Sequence, residues 1–100
     1  MGVETIQESE TRTLIKVSGR FDLSCHTGLR AAYANAPDGT EFIVDLAETS
    51  YVDSAALGML LLLREHAQQH RGRVSLTRCR GKTYELLQVA NFQRWFKLAQ

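Results

Sequence analysis

The stretch Tyr51-Val52-Asp53-Ser54-Ala55-Ala56-Leu57-Gly58 decides how the middle of the chain folds. Asp53 is a preferred N-cap residue, and the apolar side chain of Val52 can pack on Leu57 at the fourth helical position. These features predict that a helix begins at Ser54. Its hydroxyl group would then lie beside unpaired backbone N–H groups and the positive end of the helix dipole. A phosphate group on this serine would be stabilised there, although neighbouring carboxylates would oppose its charge.

This helix is predicted to run from about Ser54 to Arg71 and to end at Gly72, because glycine tolerates the left-handed conformation that follows many helices. With about 100° of rotation per residue, one face forms the core side, and it consists of Ala56, Met59, Leu60, Leu63 and Ala67. The opposite face consists of Ser54, Gly58, Leu61 and Glu65, with Leu62 beside it. Leucines uncovered near a modifiable serine indicate a docking face for another protein.

Gly58 supports the docking interpretation. A glycine inside a helix costs about 0.5–1 kcal/mol relative to alanine, so its presence needs a reason, and close approach by a partner's backbone is one. The alternative is that other elements of the same chain cover Leu61 and Leu62, and that a tight turn packs on Gly58.

Periodicity outward from this helix predicts the other elements. Residues 3–8 and 12–19 are predicted to form a β-hairpin, and a helix capped by Ser24 would place Cys25 on its core face. The apolar run Phe42–Leu46 is typical of a parallel strand covered on both faces. A strand over Arg73–Thr77 and a third helix closed by Asn91 follow, after which Trp95, Phe96 and Leu98 are expected to return to the core.

Composition excludes several classes of function. Lys and Arg total 12 against 11 for Asp and Glu in 100 residues, so no global field favours nucleic acid or anionic lipid. The longest apolar run, Ala55–Leu63, is about half the length of a membrane-spanning helix, and no secretory signal is visible at the N-terminus. Two cysteines, Cys25 and Cys79, are too few for a disulfide framework. We therefore expect a cytoplasmic protein with reduced thiols.

Other candidate sites are weaker. His66 and His70 have the spacing of a metal-binding pair on a helix, but a third ligand is not evident, so we expect an exposed polar pair and no metal. The basic run Arg71–Lys82 could contact an acidic partner, or it could be a solvated rim. The sequence shows neither a nucleophile with its base nor a phosphate-binding glycine loop, so we expect no enzymatic activity and no cofactor.

Four segments together resemble a known domain family. They are Gly19-Arg20-Phe21-Asp22, Ile43-Val44-Asp45-Leu46, the Tyr51–Gly58 stretch, and Leu86-Leu87 followed by Asn91-Phe92 and Phe96. This pattern resembles the STAS domain of anti-sigma factor antagonists, and Asp-Ser-x-x-Leu-Gly is its most specific element. The resemblance covers nearly the whole chain and implies a single STAS domain over residues 1–100. Its fold would be α/β, with a mixed, mostly parallel β-sheet and helices packed against it.

The resemblance also implies a function. In similar anti-sigma factor antagonists, the serine after the aspartate is phosphorylated by an anti-sigma serine kinase of the GHKL type and dephosphorylated by a PP2C-type phosphatase. The unmodified form binds the anti-sigma protein, and the phosphorylated form releases it. Ser54 would be the phosphorylated residue and Asp22 the acidic residue that the kinase recognises. The partner-binding residues would be Arg20, Asp22, Asp53, Ser54, Gly58, Leu61 and Leu62.

The chain departs from the family pattern at two positions. Ala56 stands where glycine is usual, a mild change inside a helix. Arg20 stands where an acidic residue is usual, and this charge reversal implies a different choice of partner. The alternative function is that of a STAS subunit that binds a transporter ATPase or a small ligand such as a nucleotide, with Ser54 unmodified.

Overall fold

Short strands alternate with helices along residues 2–100, the part of the chain that the computed structural model describes. The strands are β1 (Val3–Gln7), β2 (Arg12–Val17), β3 (Gly19–Phe21), β4 (Glu41–Asp45), β5 (Thr49–Val52), β6 (Arg73–Thr77) and β7 (Lys97–Leu98). The helices are α1 (His26–Tyr33), α2 (Ser54–Gln69) and α3 (Gly81–Val89). The short 3-10 turns Leu23–Cys25 and Phe92–Arg94 precede α1 and follow α3.

Five strands form a mixed, mostly parallel sheet in the order β1-β2-β4-β6-β7. The first two strands are antiparallel and form the predicted hairpin, while β4, β6 and β7 each pair in parallel with their neighbour. Strands β3 and β5 pair separately as a small parallel sheet. The α/β fold predicted from the sequence is confirmed.

The main sheet buries one face. The alternation predicted for β2 is confirmed, since Thr13, Ile15 and Val17 are buried. Further buried side chains come from the same face of the sheet and from the helices: Phe42, Val44, Leu76, Leu29, Leu60, Leu63 and Leu87. The other face carries partly exposed side chains, among them Leu14, Lys16, Ile43, Ser75 and Thr77, and we call it the open face. The prediction that β4 is covered on both faces is therefore wrong.

Helix α2 has the predicted core face, because Ala56, Met59, Leu60, Leu63 and Ala67 are its buried residues. Its predicted end is wrong in detail. The left-handed residue is Arg71, with φ 61°, and Gly72 has a different reason to be glycine. A Cβ atom at position 72 would collide with the carbonyl oxygen of Thr40, so only glycine lets these two segments approach each other.

Two other predictions of the packing need correction. Asp22, and not Ser24, caps the turn that leads into α1, although Cys25 is buried as predicted. Asn91 ends α3 in the predicted left-handed conformation, with φ 62°, and Phe96 is buried behind it. Trp95, however, is 43% exposed and packs edge-on against Phe92.

No helix within residues 2–100 has the length and apolar character needed to cross a bilayer.

Candidate functional site

The small sheet β3/β5 positions two loops side by side. Phe21 and Val52 are register partners at its end, and the backbone N–H of Asp53 donates to the carbonyl oxygen of Phe21 at 3.3 Å. Phe21 is fully buried and Val52 nearly so, so the core fixes both strands. Because the strands are parallel, the residues that follow them, Asp22 and Asp53, lie at the same end of the small sheet.

Each of these two aspartates caps the turn or helix that follows it. The carboxylate of Asp53 accepts a hydrogen bond from the N–H of Ala56 at 3.0 Å, which confirms the predicted N-cap. Ser54 is therefore the first residue of α2, and its side chain is exposed. The remaining unpaired N–H groups of the first turn and the helix dipole favour negative charge at this position.

Asp22 is bound to Ser24. Its Oδ1 accepts hydrogen bonds from the Ser24 hydroxyl group at 2.6 Å and from the Ser24 backbone N–H at 3.0 Å. These hydrogen bonds, the hydroxyl's first, hold the pKa of Asp22 below its ordinary value. The carboxylate is therefore ionised at neutral pH and held in one orientation beside the start of α2.

Arg20 adds a positive charge near the same end of the small sheet. Its Nε lies 3.4 Å from Oδ2 of Asp22, and its guanidinium carbon lies 4.3 Å from the centroid of the Tyr51 ring. The contact with Tyr51 follows from register, because Arg20 and Tyr51 are partners across β3 and β5. A cation over an aromatic face is held by the ring quadrupole, yet the Arg20 side chain remains 65% exposed. Its charge is thus fixed in place and available to a partner.

The predicted docking face of α2 is exposed. Leu61 is 39% and Leu62 53% exposed, so the alternative that another element covers them is wrong. A Cβ atom at Gly58 would have nothing within 4 Å, which also excludes a turn packed on this glycine. The structural condition for docking is met, and the binding roles of Gly58, Leu61 and Leu62 stay predictions.

Two residues of this surface were not assigned from the sequence. Leu23 is 67% exposed and belongs to the 3-10 turn that packs against α2. Tyr51 is 45% exposed beneath the Arg20 guanidinium. The signal for Leu23 was an apolar residue between two polar ones, Asp22 and Ser24, within a turn. We define the switch surface as Arg20, Asp22, Leu23, Tyr51, Asp53, Ser54, Gly58, Leu61 and Leu62.

The prediction that His66 and His70 form an exposed polar pair is wrong for His66, which is only partly exposed. Its Nε2 atom is buried, its ring stacks on that of His70 with centroids 4.3 Å apart, and burial lowers the pKa of His66. Within residues 2–100 no group of three or more His, Cys, Asp or Glu side chains could hold a metal ion. In the basic run, the Arg78 guanidinium binds the buried Asp45 carboxylate at 2.7 Å. That part of the run therefore stabilises the fold.

The fold matches those of several solved structures. The structure superposes on SpoIIAA, an anti-sigma factor antagonist, in its unphosphorylated form with a TM-score of 0.76 and 17% identity, over 98% of this chain and 87% of that one. The phosphorylated form of Bacillus SpoIIAA gives 0.71 and 17%, over 98% and 91%. A sulfate transporter family protein from Wolinella succinogenes gives 0.78 and 13%, over 94% and 80%. The chain thus has the fold of anti-sigma factor antagonists.

Sequence comparison defines the family. The family model described as "Mlab, STAS domain" matches residues 4–99. A STAS-domain containing protein of Pseudomonas aeruginosa is 37% identical over 101 residues, which cover 99% of this chain and all of that protein. The chain belongs to the STAS domain family.

Proposed function

We propose that the protein is an anti-sigma factor antagonist, a protein-binding switch controlled by phosphorylation of Ser54. One observation supports this above the others. An exposed hydroxyl group stands at the first position of α2, and the exposed Leu61 and Leu62 lie about two helical turns away on the same helix. A surface that combines a modifiable hydroxyl group with apolar side chains can bind one partner and lose it after modification.

The phosphate would act mainly through charge. Asp53 is engaged at the N-cap and Asp22 in its turn, so added negative charge at Ser54 leaves the local hydrogen bonds intact. The dipole of α2 stabilises the phosphate locally, while a partner that approaches the leucines meets a dianion beside two carboxylates. Release of the partner would therefore require little change in the backbone of this protein.

The resemblance to anti-sigma factor antagonists suggests the partners. An anti-sigma serine kinase of the GHKL type would bind the unmodified switch surface and phosphorylate Ser54, and a PP2C-type phosphatase would restore the hydroxyl group. The protein itself would be a substrate and a ligand, with no catalytic activity of its own. Arg20 would help to select the kinase, because it reverses the charge that is usual at this position in the family.

Intact-mass analysis tests the modification. The protein is incubated with ATP and the serine kinase of its own regulatory system, and the Ser54→Ala and Ser50→Ala variants are treated in parallel. We expect one phosphate on the wild-type protein and on Ser50→Ala, and none on Ser54→Ala. Ser50 is also an exposed serine, in β5, so this control separates site-specific transfer from general reactivity. An unmodified wild-type protein would contradict the proposal.

A second candidate has one observation in its favour, the similar fold of a sulfate transporter family protein. In that case Ser54 would be an unmodified residue of the first helical turn, and the protein would be a STAS subunit of a transporter ATPase or would bind a nucleotide. Copurification with a membrane ATPase, or a rise in melting temperature with added nucleotide, would support this candidate over the switch.

A further inference from the structure

The open face of the main sheet carries an apolar row between two charged rows. Ile6, Leu14 and Ile43 are neighbours in register across β1, β2 and β4, and Ser75 and Lys97 continue the row on β6 and β7. Ile6 is 38% exposed, and Leu14 and Ile43 are partly exposed. Apolar side chains aligned across three strands of an uncovered sheet face indicate an interaction surface.

The first charged row lies on one side of the apolar row. It runs across the sheet as Glu4, Lys16, Asp45 and Arg78. Glu4 is the register partner of Lys16, and Lys16 of Asp45. Arg78, one residue beyond β6, binds the Asp45 carboxylate. The signs therefore alternate from β1 to the end of β6, and the formal charges of the row cancel.

The second charged row lies on the other side and repeats this order. It runs as Glu8, Arg12, Glu41 and Arg73. The N–H of Glu8 donates to the carbonyl oxygen of Arg12, Arg12 and Glu41 form an ion pair at 3.3 Å, and Glu41 is the register partner of Arg73. Arg12 and Glu41 keep 50% and 33% of their side chains exposed. Both rows thus read negative, positive, negative, positive from β1 to β6.

Such a pattern is complementary to itself under a two-fold rotation. Consider a two-fold axis that lies between the two sheets, parallel to the strands and midway between β2 and β4. This rotation places each strand of one copy opposite the strand of the second copy that lies equally far from the axis on the other side. Strand β2 of one copy then faces β4 of the second, and β1 faces β6. Arg12 meets Glu41, Glu8 meets Arg73, and Leu14 meets Ile43 across the interface. Every position of the second charged row then faces the opposite sign, and the apolar rows coincide at Leu14 and Ile43. The carboxylate of Asp45 is buried and takes no part in these contacts.

From this complementarity we infer that the open face binds a second copy of the chain, so that the protein forms a two-fold symmetric dimer by sheet-on-sheet packing. Sheets that pack face to face lie about 10 Å apart, a separation that these side chains span. The same patch on both copies is the interface that a two-fold dimer requires. The switch surface lies on α2 and the small sheet, so the dimer leaves it accessible. This inference does not depend on phosphorylation of Ser54.

Charge-reversed variants test the dimer. Arg12→Glu and Glu41→Arg each place like charges opposite one another in a homodimer, at two symmetry-related contacts. Mixing the two variants restores both contacts, because at each of them a carboxylate of one variant then faces a guanidinium of the other. Sedimentation velocity across micromolar to millimolar protein should show a dimer for the wild type, monomers for each variant alone, and a dimer for the equimolar mixture. The ion pair within each chain stays broken in the mixture, so its restoration cannot explain the result.

A second pair of variants covers the case in which a charge reversal impairs folding. Ile6→Lys places a charge in the apolar row on an edge strand, and we expect it to weaken dimerisation at least tenfold. Val89→Lys changes a residue of α3 that is 80% exposed, and it should dimerise as the wild type does. Wild-type protein that stays monomeric throughout the concentration range would overturn the inference. So would a mixture no more associated than its components, or a dimer that Ile6→Lys leaves intact.

Discussion

The guanidinium of Arg20 is held between the face of the Tyr51 ring and the carboxylate of Asp22, with its Cζ 4.3 Å from the ring centroid. Register across β3 and β5 places Arg20 opposite Tyr51, and β5 leads directly into the cap before Ser54. A positive charge is thereby fixed at the edge of the switch surface, where the family usually has a negative one. This difference should decide which partner binds.

Replacement of Arg20 by glutamate should change association with the kinase partner more than it changes stability. A fixed charge at the rim of an interface acts mainly on the association rate, so we expect Arg20→Glu to slow association by about tenfold at low salt. The difference should shrink as salt is added. Surface plasmon resonance at several salt concentrations measures it, with Arg94→Glu as the control on an exposed arginine of the C-terminal turn. Equal, salt-independent rates for Arg20→Glu and wild type would rule out steering by Arg20.

Loss of the Asp53 cap should destabilise the start of α2. The carboxylate satisfies the N–H of Ala56, and removal of such a cap costs about 1 kcal/mol. We expect urea denaturation of Asp53→Ala to show this loss, while Asp53→Asn, which retains a capping oxygen, should keep most of the stability. If both variants unfolded at the wild-type midpoint, the cap would have no energetic role.

Replacement of Gly58 by alanine should raise the stability of the protein and weaken its binding to the kinase partner. The added methyl group meets open space and a helix interior prefers alanine by about 0.5–1 kcal/mol, so the free energy of unfolding should rise. The same methyl group would obstruct a partner that packs on the helix backbone. Thermal unfolding and calorimetric titration with the kinase partner measure the two effects. Unchanged affinity in the stabilised variant would remove Gly58 from the docking surface.

The Asp45–Arg78 ion pair should make the free energy of unfolding depend on pH. Burial alone would raise the pKa of Asp45, but hydrogen bonds from Arg78 and from the Ala47 N–H outweigh it, and the pKa lies below its ordinary value. Because the folded-state pKa is lowered, this contribution is present above the unfolded-state pKa of about 3.9. It is lost as the pH falls through the folded-state pKa.

The measurement compares Asp45→Asn with wild type by urea denaturation between neutral and acidic pH. At neutral pH we expect Asp45→Asn to be less stable by about 1–3 kcal/mol, and the gap should narrow below about pH 4. Glu10→Gln, at an exposed position in the hairpin turn, should track the wild type throughout. A gap for Asp45→Asn that stays constant down to the acid transition would show that ionisation of Asp45 does not contribute.

The elements with strong periodicity were predictable from the sequence. In α2 the spacing of Ala56, Met59, Leu60, Leu63 and Ala67 set the buried face, which left Leu61 and Leu62 outside. Its start was predictable as well, because a capping aspartate before an apolar run is a strong local signal.

The ends of elements and the short strands were not predictable in detail. Gly72 was interpreted as a helix end, but glycine is required there because the backbone of the distant Thr40 leaves no room for a Cβ atom. No local pattern encodes this contact. Asp22 and Ser24 are both capping residues two positions apart, and only the geometry distinguishes them. The pairing of β3 with β5 joins segments far apart in the chain through very few residues, so periodicity carries little information about it. The Arg20–Tyr51 contact depends on that pairing and was missed with it.

The decisive measurement is the affinity of the cognate serine kinase for two variants of Ser54, Ser54→Ala and Ser54→Glu, titrated side by side with the wild type. The alanine variant keeps an uncharged side chain at the tip of α2 and should bind as the unmodified protein does. The glutamate variant places negative charge beside Asp22 and Asp53, and it should bind at least tenfold more weakly. Equal affinity of the two variants would show that charge at this position does not control the partner, and would contradict the switch.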